Sequence, residues 1–510
     1  MIGIDAGVSF VKVAVYDPEG NSRATIVKSA PGEYPKTGVF LQSADVILGI
    51  IKAALREAVE KADMRGRSVE AIGFSGAMAG ALGVDRDWNI VFDWSIISDT
   101  RCFPCVTRML QKDSRRILEQ SGTNFPIMGP KILWWKEEFP EEFARVAKFM
   151  VLAGYVVGRL GALPIEDAFI DRTYTHFTGI ADLRKNTWSA EICGEFGIDR
   201  KLLPRIVDSH EIMGRLSREA AAECGLAPGI PLVAGAGDKP AGALGAGLVS
   251  PGLLIDESAS FGAFSICVER YVPDLKNRTL ENLPSPIPGQ YLPSTYLFGS
   301  GVTHAWFKDV FGEEETRTAS AAGSSPFQVL DEKASRVPPG SEGLLASGLF
   351  GGRGYPSDPD IKGMWIGHSW VHKKEHFYRS LLESFAYEFA CVLEVMRKNY
   401  PDLPIDEIRV IGGGARSDLW NQIKADVTGV PYVRLNRDDF AVLGGVLLAG
   451  NAVGIFPDLK ASAKRFAGKT KRYEPDLERH ERYRRYVALY RGVFDRVRGI
   501  FTDLKDIASP

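Results

Sequence analysis

The chain has 510 residues, 45% of them apolar and 25% charged, with a formal net charge of −2. At roughly 100–200 residues per domain, that length calls for two or more domains, and the balanced, interspersed charge excludes the electrostatic footprint of a nucleic-acid or anionic-membrane binder. No apolar stretch reads as a membrane span, because 149–158 is short and closed by Arg159, while 441–456 is glycine-rich and holds Asn451. The N-terminus enters an apolar strand with no basic region ahead of it, so no signal peptide is expected. Six cysteines in so long a chain fit a reducing, cytoplasmic setting.

In chain order, Ile2–Asp5 reads as a strand, Ala6-Gly7-Val8-Ser9 as a tight turn and Val11–Asp17 as the returning strand, with Pro18–Asn21 turning again. Residues 44–62 follow helical spacing, with Ile47, Ile50, Ile51, Ala54, Leu55 and Ala58 on one face. A short buried strand, Ala71–Ser75, runs into Gly76-Ala77-Met78-Ala79-Gly80. Cys102-Phe103-Pro104-Cys105 lacks the second pair a zinc site needs, and is read as local packing. The apolar run Ile230–Ala234 leads into Gly235-Ala236-Gly237-Asp238-Lys239-Pro240, and small residues with helical character follow to Gly247. This pattern holds a carboxylate at the carboxyl end of a buried strand, where α/β proteins bind ligands. It is equally the pattern of a turn with Asp238 as a helix N-cap.

The plan then restarts after Ser250-Pro251-Gly252. Leu253–Asp256 is a strand, Ser258–Gly262 a turn of small residues, and Ala263–Val268 the return, an echo that suggests two related halves. Pro/Gly-rich stretches at 283–293 and 335–343 read as surface loops, and His372 and His376 as surface helix residues with no third metal ligand. Ile408–Ile411 is a strand into Gly412-Gly413-Gly414-Ala415; Ser417–Val427 and 441–452 are helices, and 460–510 is a charged helical tail. Gly468-Lys469-Thr470 lacks the upstream glycine of a P-loop, Ala463 standing in its place.

Three glycine-bearing turns therefore follow strands, at Asp5, Ser260 and Gly412. Turns of small residues present successive backbone N–H groups, a cradle for anions. Two of them in repeated halves can grip a nucleoside triphosphate, and a third can let a flat base lie on bare backbone. Asp5 is suited to Mg²⁺, which favours carboxylate together with phosphate oxygens. Asp238 is suited to take a proton from an attacking hydroxyl.

With these motifs the chain resembles the FGGY carbohydrate kinases over about residues 1–455. The residues that carry the resemblance, in order, are Gly3–Ser9, Pro130-Lys131-Ile132-Leu133-Trp134, Gly237–Gly247, Ser260 with Gly262, Gly301–Trp306, Arg353, Asp358-Pro359, Gly363–Glu383 and Gly412–Trp420. The resemblance implies an α/β fold of two actin/hexokinase-like (ribonuclease H-like) domains flanking a deep cleft. It divides the chain into a sugar-binding domain at 1–249, an ATP-binding domain at 250–459 and a helical tail at 460–510 packed on the second domain. It implies an ATP- and Mg²⁺-dependent kinase of a small sugar or polyol, a pentulose such as xylulose or ribulose first, often assembled as a homodimer. Asp238 would be the general base. Asp5, Gly7, Ser9, Lys12, Ser260, Gly262, Gly301, Gly413, Gly414 and Ser417 would serve the nucleotide, with Asp5 and Asp238 at the metal. Met78, Ala79, Asp99, Arg101, Asp238 and Lys239 would face the sugar.

Departures cluster on the sugar side. Where ketose kinases of the family often carry Gln-Met-His-Gly, this chain has Ala77-Met78-Ala79-Gly80, so two hydrogen-bonding side chains are methyl groups. A site built to bond a hydroxyl loses much affinity without its partner. Lys239 stands where Asn or Gln is common, Phe261 replaces a hydroxyl residue, and His368 replaces an aliphatic one. These departures leave open a different polyol, aldonate or ketose acceptor such as glycerol, gluconate or an erythritol-like compound, or a non-catalytic sugar- or nucleotide-binding regulator.

Overall fold

The alternating apolar residues of the N-terminus form the strand Ile2–Ala6, which turns over 7–9 and returns antiparallel as Phe10–Tyr16, with Asp5 opposite Lys12. Ile2, Ile4, Val11 and Val13 are fully buried, so this hairpin is central, not an edge. Its other neighbour is the parallel strand Ile72–Gly76, reached through a crossover that contains the helix Ala44–Lys61. That helix buries Ile47, Ile51, Ala54, Leu55 and Ala58, and its first amide is capped from a distance by the Asp93 carboxylate at 2.8 Å.

This computed structural model describes residues 1–63 and 68–508. Its first sheet runs 212–215, 231–233, 72–76, 2–6, 10–16, 22–29, with the short strand 236–237 also beside 72–76. The second runs 281–284, 291–297, 262–266, 254–258, 408–411, 432–435, 469–473. Both have the same kernel: an antiparallel hairpin, 2–16 or 254–266, whose first strand takes a parallel partner on its far side, 72–76 or 408–411. The echo between halves read in the sequence is thus an echo of topology.

The two halves meet backbone to backbone. The helix Phe440–Ala452, from the second half, lies against the first sheet and against the helix Asp238–Gly245. Glycines make the approach: a Cβ on Gly3 would stand 2.6 Å from the Val442 carbonyl oxygen, one on Gly73 would run into the Gly445 carbonyl, and one on Gly444 into that of Ala241. A second seam joins 281–284 to the first half, where the Asn282 amide donates to the Gly122 carbonyl at 2.8 Å. There the buried Glu281 accepts from Thr123 Oγ1 at 2.8 Å and the Asn124 amide at 2.7 Å.

Three local readings change. Within 283–293, read as a loop, the ends belong to the buried strands Glu281–Pro284 and Tyr291–Leu297. Within 460–510, read as helical throughout, Lys469–Tyr473 is an exposed edge strand between the helices Leu459–Phe466 and Leu477–Ala508; Ser509 and Pro510 lie outside the described residues. His376 is buried, 8% exposed, not a surface residue. Cys102 and Cys105 are both buried and unbonded, and all six cysteines are free. Among the described residues no helix is long and apolar enough to cross a membrane.

Candidate active site

Asp5 and Asp238 flank the end of one strand. Asp5 lies opposite Ser75 on one side of 72–76, and the pair Ala236–Gly237, opposite Ser75 and Gly76 on the other side, delivers Asp238 as the first residue of its helix. Ser75 Oγ donates to Asp5 Oδ1 at 3.0 Å. Gly237 is held by the buried polar strut beneath it. Its amide donates to Thr173 Oγ1 at 2.8 Å; the Thr173 hydroxyl donates to Asp171, and Asp171 also accepts from Ser209 at 2.6 Å. Tyr174 ties the same two strand ends by donating to the Ala236 and Gly76 carbonyls at 3.1 and 3.4 Å. Met78 packs on Gly237, where a Cβ would stand 2.6 Å from the Met78 thioether, so the wall under Asp238 is apolar.

Charge is concentrated at this point. Burial pushes the Asp238 carboxyl up to about 7; Lys239 opposes the rise, and repulsion from Asp5 and Glu257 adds to it. Burial likewise raises Asp5, against the Ser75 hydrogen bond, Lys12 and Lys239. Lys239 Nζ donates to the Glu257 carboxylate, a residue of the second sheet, so an ion pair bridges the two halves beside Asp238. Burial alone would lower the Lys239 ammonium, but Glu257, Asp238 and Asp5 more than reverse this and leave it raised. Glu257 was not singled out in the sequence; its only signal there is an acidic residue at the end of the strand preceding the Ser258–Gly262 turn.

The turns around the carboxylates suit anions. Among the described residues, the amides of Val8 and Ser9 in the first turn, and of Ser260 and Phe261 in the second, donate to no protein acceptor. The second turn is braced from behind, Gly301 N donating to the Ala259 carbonyl at 3.0 Å and Val302 N to that of Ser260 at 3.1 Å. Gly301 must be glycine there, because a Cβ would stand 2.6 Å from the Ala259 oxygen. Gly262 is buried behind the turn, with Ser300 Cβ 3.3 Å from the position of an added Cβ.

On the third turn, Gly412 has φ +85° and sits over the Ser258 carbonyl, while Gly413 has nothing within 4 Å of where a Cβ would be. Gly414 has no such room, because Trp420 and Ser258 fill it. A flat ring could therefore approach at Gly413. Ser417 caps the helix Asp418–Thr428, accepting from Trp420 N at 3.0 Å, and donates to Asp331 at 2.6 Å. Beneath these turns Lys424 and Asp256 form a fully buried ion pair at 2.6 Å.

Not every residue marked in the sequence joins this group. Asp99 is fully buried and spends both oxygens on protein: Arg101 Nε and a terminal nitrogen at 2.7 Å each, and Ser95 at 2.7 Å. Arg101 stacks 4.8 Å from the Trp134 ring and borders a groove of about 580 Å³ that also touches Phe40 and Trp94. Lys131, buried under them, donates to Ser95 and to the Asp99 carbonyl. None of these bonds reaches Asp5, Asp238 or Lys239, so Asp99 here orients Arg101. The Ala79 carbonyl accepts the Ile97 amide at 2.8 Å, and Ile97 is 41% exposed.

For a metal, no group of three or more His, Cys, Asp or Glu side chains among the described residues is arranged to hold an ion by itself. A cation at Asp5 and Asp238 would therefore need oxygens from a bound phosphate and water, the sharing that Mg²⁺ tolerates. The unpaired amides in two turns fit the phosphate half of that arrangement.

Comparison with known proteins gives the family and the fold. The model of the FGGY family of carbohydrate kinases, N-terminal domain, matches residues 1–245, and that of its C-terminal domain matches 276–453. A xylulose kinase of Bacillus subtilis is 27% identical over 99% of this chain and 98% of its own length. A gluconokinase of the same organism is 25% identical over 99% and 98%. The solved structure of a ligand-bound xylulose kinase from Lactobacillus acidophilus superposes with a TM-score of 0.89 at 22% identity, covering 99% of both chains. At that identity the likeness is one of fold.

Proposed function

The chain belongs to the FGGY family of carbohydrate kinases, and we propose that it transfers the terminal phosphoryl group of ATP to a hydroxyl of a pentulose such as xylulose or ribulose. The observation that supports this most is the placing of Asp5 and Asp238 on either side of one strand end, with a turn of unpaired amides following Asp5 and another following Glu257, the partner of Lys239. Asp238 takes the hydroxyl proton as the acceptor oxygen bonds to phosphorus and the bond to the departing ADP oxygen breaks. A carboxyl held near 7 is a base whose protonation matches neutral pH. Asp5, with Asp238, would hold Mg²⁺, which would supply Lewis-acid neutralisation of phosphate charge. Gly7, Ser9, Lys12, Ser260, Gly262 and Gly301 serve the phosphates, and Gly413, Gly414 and Ser417 the adenosine. Met78, Ala79, Arg101 and Lys239 serve the acceptor side, Lys239 at the point where the acceptor meets the phosphates, with Asp99 acting through Arg101. Phosphoryl transfer asks mainly for positioning and charge stabilisation, which such parts provide.

Residues 1–249 would be the sugar-binding domain, 250–459 the ATP-binding domain and 460–510 its tail. A cytoplasmic location and a homodimer complete the reading. The apolar side chains of Met78, packed under Asp238, and of Ala79 favour one rival, an acceptor with fewer hydroxyls on that side or a polyol or aldonate. Incubation of the protein with ATP, Mg²⁺ and a panel of pentuloses, hexuloses, aldonates and polyols, reading ADP release, tests both. A best turnover on a pentulose supports the proposal, and turnover confined to another class replaces it. Absence of ADP release on every compound, with sugar binding retained, would indicate a non-catalytic binder. Asp238→Asn is expected to cut turnover by roughly 10²–10⁴-fold while leaving ATP affinity largely intact.

A further inference from the structure

Three carboxylates crowd the junction between the halves. Asp5 and Asp238 come from the first sheet, and Glu257 from the second. Glu257 is one residue ahead of the Ser258–Gly262 turn, whose free amides at Ser260 and Phe261 form one of the two anion cradles. A triphosphate seated there would meet a third carboxylate that does nothing to attract it. Lys239 supplies the compensating charge: its ammonium is paired with Glu257 and also interacts with Asp238 and Asp5. The lysine side chain is 34% exposed and the glutamate 13%, so the ammonium is reachable and its partner is held in the protein.

We propose that Lys239 is a phosphate-contacting residue and Glu257 its positioning residue: Glu257 holds the ammonium at the seam, and an arriving triphosphate takes it over as a ligand of the transferring phosphoryl group. The inference rests on the kinase reading. Phosphate oxygens are strong acceptors for a charged donor, and an ammonium is a compact charge on a flexible stem that can exchange partners without moving the backbone. The exchange also links the halves, because the cation comes from the helix that starts at Asp238 and its resting partner comes from the second sheet. In this chain the charge of Lys239 is balanced by a carboxylate across the seam.

The test uses the full-length protein and measures ATP and ADP affinity by titration calorimetry without sugar, then KM for ATP and kcat with the best acceptor. Lys239→Met is expected to weaken ATP binding roughly 10- to 100-fold, the range of a charge-assisted hydrogen bond, and to lower kcat as well. Lys239→Arg keeps the charge and is expected to retain most of the affinity. Glu257→Gln removes the competing carboxylate, so KM for ATP falls while kcat does not rise. A merely structural ion pair predicts instead that Lys239→Met and Glu257→Gln lower the melting temperature together and shift KM for ATP in the same direction. That result, or unchanged ATP affinity in Lys239→Met, overturns the proposal. Wild-type protein that binds no nucleotide would sink the kinase reading itself, and this outcome is distinct from wild type and Lys239→Met binding ATP equally.

Discussion

Replacing Lys424 by methionine should unfold the second half of the molecule well before the first. Lys424 Nζ is 2.6 Å from Asp256 Oδ2 and 2.9 Å from Ser258 Oγ, and neither ionic side chain has any exposure. The ammonium also sits 4.3 Å from the Trp420 ring centroid and 5.1 Å from that of Tyr432. Methionine matches the stem but leaves Asp256 buried, with only the Ser258 hydroxyl to meet it. Stripping one partner from a buried pair costs about 3–5 kcal/mol. Against a total stability of roughly 5–15 kcal/mol that is a large fraction. At about 2–4 °C per kcal/mol for a domain of 150–250 residues, the melting transition of that half should fall by roughly 6–20 °C.

Because the pair ties the strand ahead of the Ser260 turn to the helix after Gly412–Gly414, nucleotide affinity should fall with it. Asp256→Asn added to Lys424→Met removes the orphaned charge and should recover most of the loss. Differential scanning calorimetry of wild type, both single variants and the double variant gives the cycle. The penalty in Lys424→Met should also shrink at low pH, where Asp256 takes up a proton. A shift under about 1 kcal/mol in Lys424→Met, or a double variant no more stable than the single, would refute the argument that buried charge compensation holds these turns together.

Asp171 offers a pH test. Burial pushes its carboxyl up to about 7 from 3.8, so between those values the folded state keeps a proton that the unfolded chain has lost. Its contribution is fully present below about pH 4 and lost as pH rises through about 7, a total on the order of 4 kcal/mol. Denaturant midpoints from pH 5 to 8 should slope less in Asp171→Asn than in wild type, and equal slopes would reject the assignment. Two glycines should separate packing from binding. Gly444→Ala drives a methyl into the Ala241 carbonyl and should cost at least about 1–3 kcal/mol and reduce turnover, because the helix carrying Asp238 must shift. Gly413→Ala meets nothing and should leave the melting temperature unchanged while weakening adenine-nucleotide binding. Unchanged nucleotide affinity there would remove Gly413 from the adenosine site.

What the sequence displayed and what it hid follow from the range of the forces involved. The two hairpins and the Asp238 turn were legible because apolar alternation and clustered glycines are local signals written over a few residues. The strands at 281–284 and 291–297 were masked by their prolines. Pro284 ends an edge strand, and Pro293 lies just beyond Ser294, where pairing with 262–266 stops, so neither removes a needed ladder bond. The edge strand 469–473 was masked by its charges, which are what an exposed edge uses to discourage pairing with another chain.

Pairs across the molecule left no such trace. Lys424 and Asp256 are 168 residues apart, and nothing in either segment announces that it will be buried against the other. Lys239 shows the same limit at the site itself. Beside Asp238 it reads as an isolated departure from the residue common at that place. Only the fold, by bringing the end of the strand 254–258 against the start of the helix 238–245, shows that its charge is balanced by a carboxylate from the other half. The residue that departs from the pattern and the residue that makes the departure tolerable must therefore be considered together, and although only 18 residues separate them they lie on a helix of one half and a strand of the other, a pairing that no local pattern announces.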